Sequence, residues 1–194
     1  MKNDFKNLLN ILDESLMSIS EEKFTELVQD CAGVLRSDKK IIVSGLGKNV
    51  PICDKFVGTM NSLGLNACFM HTNSAVHGDL GMIHAGDLVI ILTKSGETSE
   101  SVYLYKQLQK RDCIIWLLTF EKESTLAKAI EKVLLIELQH EGDKWNIMPN
   151  NSTTLNLIVL QMLAMRLCDE LDISLADFKE NHPGGHIGEE LKNV

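Results

Sequence analysis

Apolar residues along the chain fall into two rhythms. Phe5, Leu8, Leu9, Leu12 and Leu16 recur three and four apart, which is the spacing of one helix face. Ser20 then stands where a helix cap is wanted, ahead of Phe24, Leu27, Val28 and Leu35, so residues 1–36 read as two helices. From Lys40 the rhythm changes to short continuous apolar runs at Ile41–Val43, Ala67–Met70, Leu88–Leu92, Ile114–Leu118 and Val133–Leu138. Runs without polar alternation are strands covered on both faces. Helical segments near 50–63, 98–109 and 126–131 separate most of them, giving a βαβ rhythm and a mainly parallel sheet. A polar stretch over 139–151 then leads into a long helix predicted over 152–171. The expected fold is α/β: a three-layer αβα sandwich on a five-stranded parallel sheet, preceded by a helical arm over 1–36. Residues 1–194 read as one domain, with ligands expected at the carboxyl ends of the strands.

Composition narrows the function. The 194 residues carry 19 Lys+Arg against 27 Asp+Glu, a net charge of −8, and the 44% hydrophobic fraction is enough for a real core. No basic cluster exceeds Lys39-Lys40 or Lys110-Arg111, so a nucleic-acid partner is not expected. The most apolar stretch, Leu155 to Met165, is broken by Asn156 and Gln161 and closed by Arg166, short of the ~18 residues of a membrane span. The amino terminus mixes Lys2, Asp4 and Lys6 ahead of its leucines, unlike a signal peptide, so a cytoplasmic location is expected. Cys31, Cys53, Cys68, Cys113 and Cys168 are odd in number, widely spaced and without a C-x-x-C pair. They read as buried free thiols rather than a disulfide or zinc framework.

Three loops at strand ends concentrate polar chemistry. Ser44-Gly45-Leu46-Gly47-Lys48-Asn49 follows the first strand and precedes a helix with Pro51 in its first turn. Its glycines admit close backbone approach, and the helix start attracts an anion. A Walker A loop would need glycine where Ile42 stands and a hydroxyl at Asn49; a dinucleotide fingerprint would need glycine at Val50. Both fail, which disfavours ATP and NAD. The second loop, Thr93-Lys94-Ser95-Gly96-Glu97-Thr98-Ser99-Glu100, gathers hydroxyls, a glycine and a helix start, either as a phosphate cradle or as a plain helix cap. Spacing does not decide the role of the third, Ser74 through Ile83 with His77 and two glycines. Farther on stand Glu141 and the turn His182-Pro183-Gly184-Gly185-His186. Its proline and glycines spoil the helical spacing that a His182/His186 metal pair would need, so no metal is expected.

Together these segments resemble the sugar isomerase (SIS) domain family from about residue 40 to 191. The carrying pieces are Ser44–Lys48, His77 through Ile83, Ser95 through Glu100, Pro149 through Thr154, and His182 through Gly185 followed by Gly188. Within that family the chain is most similar to D-arabinose 5-phosphate isomerases of the Kdo pathway. The resemblance implies a flavodoxin-like sheet, a phosphorylated sugar at the strand ends, no cofactor, and a homotetramer with active sites shared between subunits. By motif, Lys48, Glu100, Glu141, His77 and His182 match the catalytic set. Ser44, Gly47, Thr93, Ser95 and Thr98 match the phosphate-binding positions.

There are departures. Asn49 replaces a usual serine, Gly184-Gly185 replaces Ala-Gly, and Asp143–Met148 stands where the isomerases usually read Cys-Pro-Met-His-Leu-Ala. With 12 residues after His182, paired CBS domains are not expected.

The implied reaction is aldose–ketose interconversion of D-ribulose 5-phosphate and D-arabinose 5-phosphate through an enediolate. Glu141 or Glu100 would be the base, Lys48 an electrostatic stabiliser, and His182 a proton carrier from an adjacent subunit. A 6-phospho-3-hexuloisomerase or a non-catalytic sugar-phosphate sensor is the alternative.

Overall fold

The computed structural model describes residues 1–193. Strands β1 (Ile41–Gly45), β2 (Ala67–His71), β3 (Leu88–Leu92), β4 (Ile114–Thr119) and β5 (Lys132–Leu135) form one sheet, all parallel, in the order β2-β1-β3-β4-β5. Side chains alternate across a strand, so each strand feeds two cores. Ile41, Val43, Leu88, Ile90, Trp116 and Leu118 face a layer built from α1 (Lys2–Met17), α2 (Glu21–Arg36), α3 (Val50–Ser62) and α7 (Asn151–Glu170). Ile42, Val89, Ile91 and Leu117 face α4 (Thr72–Ala75), α5 (Ser99–Leu108) and α6 (Thr125–Ala129). Two short helices, α8 (Leu175–Glu180) and α9 (Gly185–Glu190), close the chain.

The expected sandwich is therefore present, and the amino-terminal helices belong to it. The Ser20 hydroxyl accepts the Lys23 amide, capping α2 as its position suggests. Leu27, Val28 and Cys31 of α2 are buried in the core. On the same helix Asp30 accepts the Trp116 indole N–H at 2.8 Å, and Lys132 pairs with both Glu26 and Asp30. Arg36 donates to the Glu170 carbonyl at 2.6 Å, closing the end of α7. Only α1 fits the description of an arm: Phe5 and Leu9 are 62% and 64% exposed.

Two boundaries differ from expectation. The run Val133–Leu138 does not stay in the sheet to its end; β5 stops at Leu135. Ile136 still donates to Thr119, but the next amide, Glu137, donates to the Ser18 hydroxyl at 2.9 Å, so the chain is drawn off toward the α1–α2 turn. The helix expected over 126–131 ends at Ala129 because Ile130 is already extended.

The order 2-1-3-4-5 puts its switch point between β1 and β3, whose following chains diverge to opposite faces. The β1 loop leads into α3 on one face, and the β3 loop leads into α5 on the other. The crevice between them is where the first two polar loops lie.

Candidate active site

Leu46 is extended, Gly47 takes φ +55°, and Gly47–Asn49 make a single 3-10 turn that presents Lys48 to solvent at the head of α3. A Cβ at Gly45 would come within 2.9 Å of the Asn49 Cβ, so only glycine lets the end of β1 approach α3 this closely. Asn49 Oδ1 accepts from Asn156 Nδ2 at 2.9 Å, tying this loop to α7. A cleft of about 80 Å³ opens between them, lined by Leu46, Lys48, Lys94, Ser152, Thr153 and Asn156 among others.

Glu141 lies behind this cleft, in contact with two of its lining residues, Lys94 and Ser152. It is fully buried, and its Oε2 accepts the amides of Asn150 and Ser152, both at 3.0 Å. Asn150 stands at the cap position of α7 but makes no side-chain capping bond; Glu141 supplies that function from nine residues upstream. The Lys94 ammonium lies 2.6 Å from Glu141 Oε1, which has no directed hydrogen bond of its own. Burial pushes the Glu141 carboxyl up, but Lys94 and the Ser152 and Asn150 groups together outweigh it and hold the pKa below the usual carboxylate range. The surrounding loop is stiffly wound. Asn146, at φ +57°, accepts the Glu141 amide at 2.7 Å, and Asp143 accepts the amides of Trp145, Ile147 and Met148. That winding leaves Trp145, Ile147 and Met148 exposed.

On the opposite face, Thr72, Asn73, Val76, Ser99, Glu100 and Tyr103 line a second pocket of about 360 Å³. Glu100 is exposed in the first turn of α5 and accepts the Ser99 hydroxyl at 2.8 Å. Its own amide and that hydroxyl hold its carboxyl below the usual range. His77 follows Val76 and is exposed.

The hydroxyl residues lie between the two pockets, and several are already engaged. Ser44 is buried and hydrogen-bonds Thr72 at 2.9 Å; Thr93 is buried and accepts the Gly96 amide at 3.3 Å. Ser95 accepts the Glu97 amide at 3.2 Å, while Thr98 caps α5 by position without a side-chain bond. These contacts shape the loop and leave the helix start facing the crevice.

One expected residue does not join the others within the chain. His182 stacks on Phe178 at 4.0 Å and hydrogen-bonds the Phe178 carbonyl at 2.8 Å. Its neighbour Asn181 donates to the carbonyl of Ser62, the last residue of α3. Since α3 runs back from the carboxyl end of β1, His182 lies at the amino edge of the sheet, about 20 Å from the β1 loop by helix rise. Conversely, Lys94 is central and was not singled out by sequence. Strand alternation could have found it: Leu92 faces the α7 layer, Thr93 the other, and Lys94 the α7 layer again.

All five cysteines are free; Cys31 and Cys53 are buried, the other three half-buried. Burial pushes the Cys53 thiol up to about 12. Among the described residues no His, Cys, Asp and Glu are grouped to hold a metal ion, and no helix is long and apolar enough to cross a membrane.

Residues 34–166 match the SIS domain. The chain belongs to the SIS domain family. It is 32% identical over 186 residues to arabinose 5-phosphate isomerase KdsD of Yersinia pestis, covering 96% of this chain and 57% of that one. It is 34% identical over 183 residues to arabinose 5-phosphate isomerase KpsF of Escherichia coli, covering 94% and 54%. The chain thus spans a little over half the length of these curated relatives. An Escherichia coli protein solved in complex with arabinose 5-phosphate superposes with a TM-score of 0.84 at 32% identity, covering 94% of this SIS chain and 95% of that one.

Proposed function

We propose that the protein is a sugar-phosphate aldose–ketose isomerase interconverting D-ribulose 5-phosphate and D-arabinose 5-phosphate for Kdo synthesis, in lipopolysaccharide or capsule. The observation that carries this reading is the likeness, along almost the whole of both chains, to a structure holding arabinose 5-phosphate. The chemistry of the switch-point crevice supports it. The hydroxyl loop and the start of α5 suit a phosphate monoester, and Lys48 suits a developing enediolate oxygen.

Glu100 is the base in this reading. It is solvent-facing and borders the larger pocket, and its single side-chain partner is the Ser99 hydroxyl. Glu141, by contrast, is committed to the start of α7 and to Lys94. Glu100 takes the proton from the carbon beside the carbonyl, Lys48 bears the enediolate charge, and the proton returns to the neighbouring carbon. His182 serves ring opening or proton transfer from a second subunit of a homotetramer, and His77 lies beside the Glu100 pocket as an auxiliary. The exposed apolar side chains of α1 and of α7, Met162 and Met165 among them, favour such assembly. No cofactor takes part, and the location is cytoplasmic.

The test is to supply D-ribulose 5-phosphate to the purified protein and follow D-arabinose 5-phosphate by phosphorus-31 NMR. Its appearance at enzymatic rates is expected. Turnover of a hexulose 6-phosphate instead would reassign the substrate. Binding without any turnover would make the protein a sensor.

A further inference from the structure

We propose that Lys94 is a positioning residue, which fixes Glu141 over the start of α7 and keeps the cleft beside Lys48 in the form that receives a sugar phosphate. This rests on the sugar-phosphate reading above and goes beyond it, since that reading gives Lys94 no role.

The argument is geometric. Glu141 has two oxygens in a site closed to solvent, and Oε2 is occupied by two amides at the head of α7. Oε1 has Lys94 at 2.6 Å and no directed hydrogen bond. A buried carboxylate oxygen deprived of its cation must protonate or move. Either response reaches the cleft, because the Ser152 amide it holds belongs to a residue of the cleft wall. Lys94 itself is 43% exposed and lines the same cleft, so the cationic end of the pair stands in the wall while Glu141 lies buried behind it.

The two lysines of the cleft divide the work. Lys94 is neutralised by Glu141, whereas Lys48 forms no ion pair among the described residues and keeps its charge for an incoming anion. Ionisable groups near Glu141 include His140, whose Nδ1 accepts the Gly142 amide, Asp143, whose oxygens are taken by three amides, Lys48 across the cleft from Lys94, and Asp4 of α1, which shares a groove with His140. None of their side chains bonds Oε1, so Lys94 is the charged side chain paired with it among the described residues.

The test compares wild type with Lys94→Met and Lys94→Arg. The Glu141 carboxyl is titrated by carbon-13 NMR without ligand, and D-arabinose 5-phosphate affinity is measured by calorimetry from pH 5 to 8. In Lys94→Met the Glu141 midpoint rises and affinity falls about tenfold, the loss growing as pH drops; Lys94→Arg restores both. An unmoved Glu141 midpoint overturns the proposal whether or not any ligand binds. A raised midpoint with wild-type affinity at every pH overturns it too, by reducing Lys94 to a structural ion pair. Wild-type protein that binds no sugar phosphate overturns the functional reading instead.

Discussion

Gly96 sits at the tightest point of the hydroxyl loop, with φ +63°, and a Cβ there would lie 2.1 Å from Ser124 Oγ and 2.5 Å from Ser124 Cβ. Ser124 cannot swing aside cheaply, because its hydroxyl donates to the Glu121 carbonyl and accepts the Ala127 amide as the cap of α6. Gly96→Ala is therefore expected to cost about 3 kcal/mol, from overpacking plus the left-handed backbone. Ser124→Gly in the same chain should recover only the overpacking part. Urea denaturation checks this, and a single-variant loss under about 1 kcal/mol would contradict the contact geometry. The glycine and its loop were legible in sequence as turn chemistry before a helix. Lys94 was not, because within Thr93-Lys94-Ser95 it reads as a spacer between hydroxyls. Its role depends on Glu141, 47 positions away in sequence (141 − 94), and no local pattern connects the two.

At the scale of elements, the strands were readable because each is a continuous apolar run buried on both faces. What sequence could not supply were contacts made at a distance: Glu141 capping α7, Ser18 drawing off β5, and the Asp87 junction at the amino edge of the sheet. Asp87 is buried and accepts the Lys40 amide at 3.1 Å and the His84 amide at 2.7 Å, with the Lys40 ammonium at 2.7 Å. It thereby joins the entry to β1 to the entry to β3. Burial raises the Asp87 carboxyl, but Lys40 and the two amides prevail, so its folded pKa lies below the ordinary 3.8. A depressed folded pKa means that the stability it contributes is complete above the unfolded value and is lost as pH falls through the folded one. Asp87→Ala should thus cost about 3 kcal/mol at pH 7, since it strands Lys40 and two amides. The gap to wild type should close as pH falls below about 4. Thermal melts across pH 3 to 7 measure it, and a gap independent of pH would show that the carboxylate charge contributes nothing.

For the whole molecule, the separation of His182 from the crevice makes the assembly a question about chemistry. If one chain formed a complete site, a protein lacking Glu100 and a protein lacking His182 could never repair each other. If instead the site draws Glu100 from one subunit and His182 from another, as we propose, mixed oligomers contain repaired sites. Glu100→Gln and His182→Ala are each expected to lower turnover by about a hundredfold or more. Neither should disturb the core, because Glu100 is exposed and the half-buried His182 ring is held by Phe178 of α8, through stacking and a bond to its carbonyl. Unfolded together in equal amounts and refolded, random mixing pairs an intact Glu100 with an intact neighbouring His182 in about one quarter of sites. Activity should therefore return to about a quarter of the wild-type value in the mixture and stay at the single-variant level in each protein refolded alone. Recovery confined to refolded mixtures, and absent when folded variants are simply combined, would further require subunits that do not exchange. A mixture no more active than its components would place all of the chemistry within one chain, and His182 would then be a packing residue on Phe178.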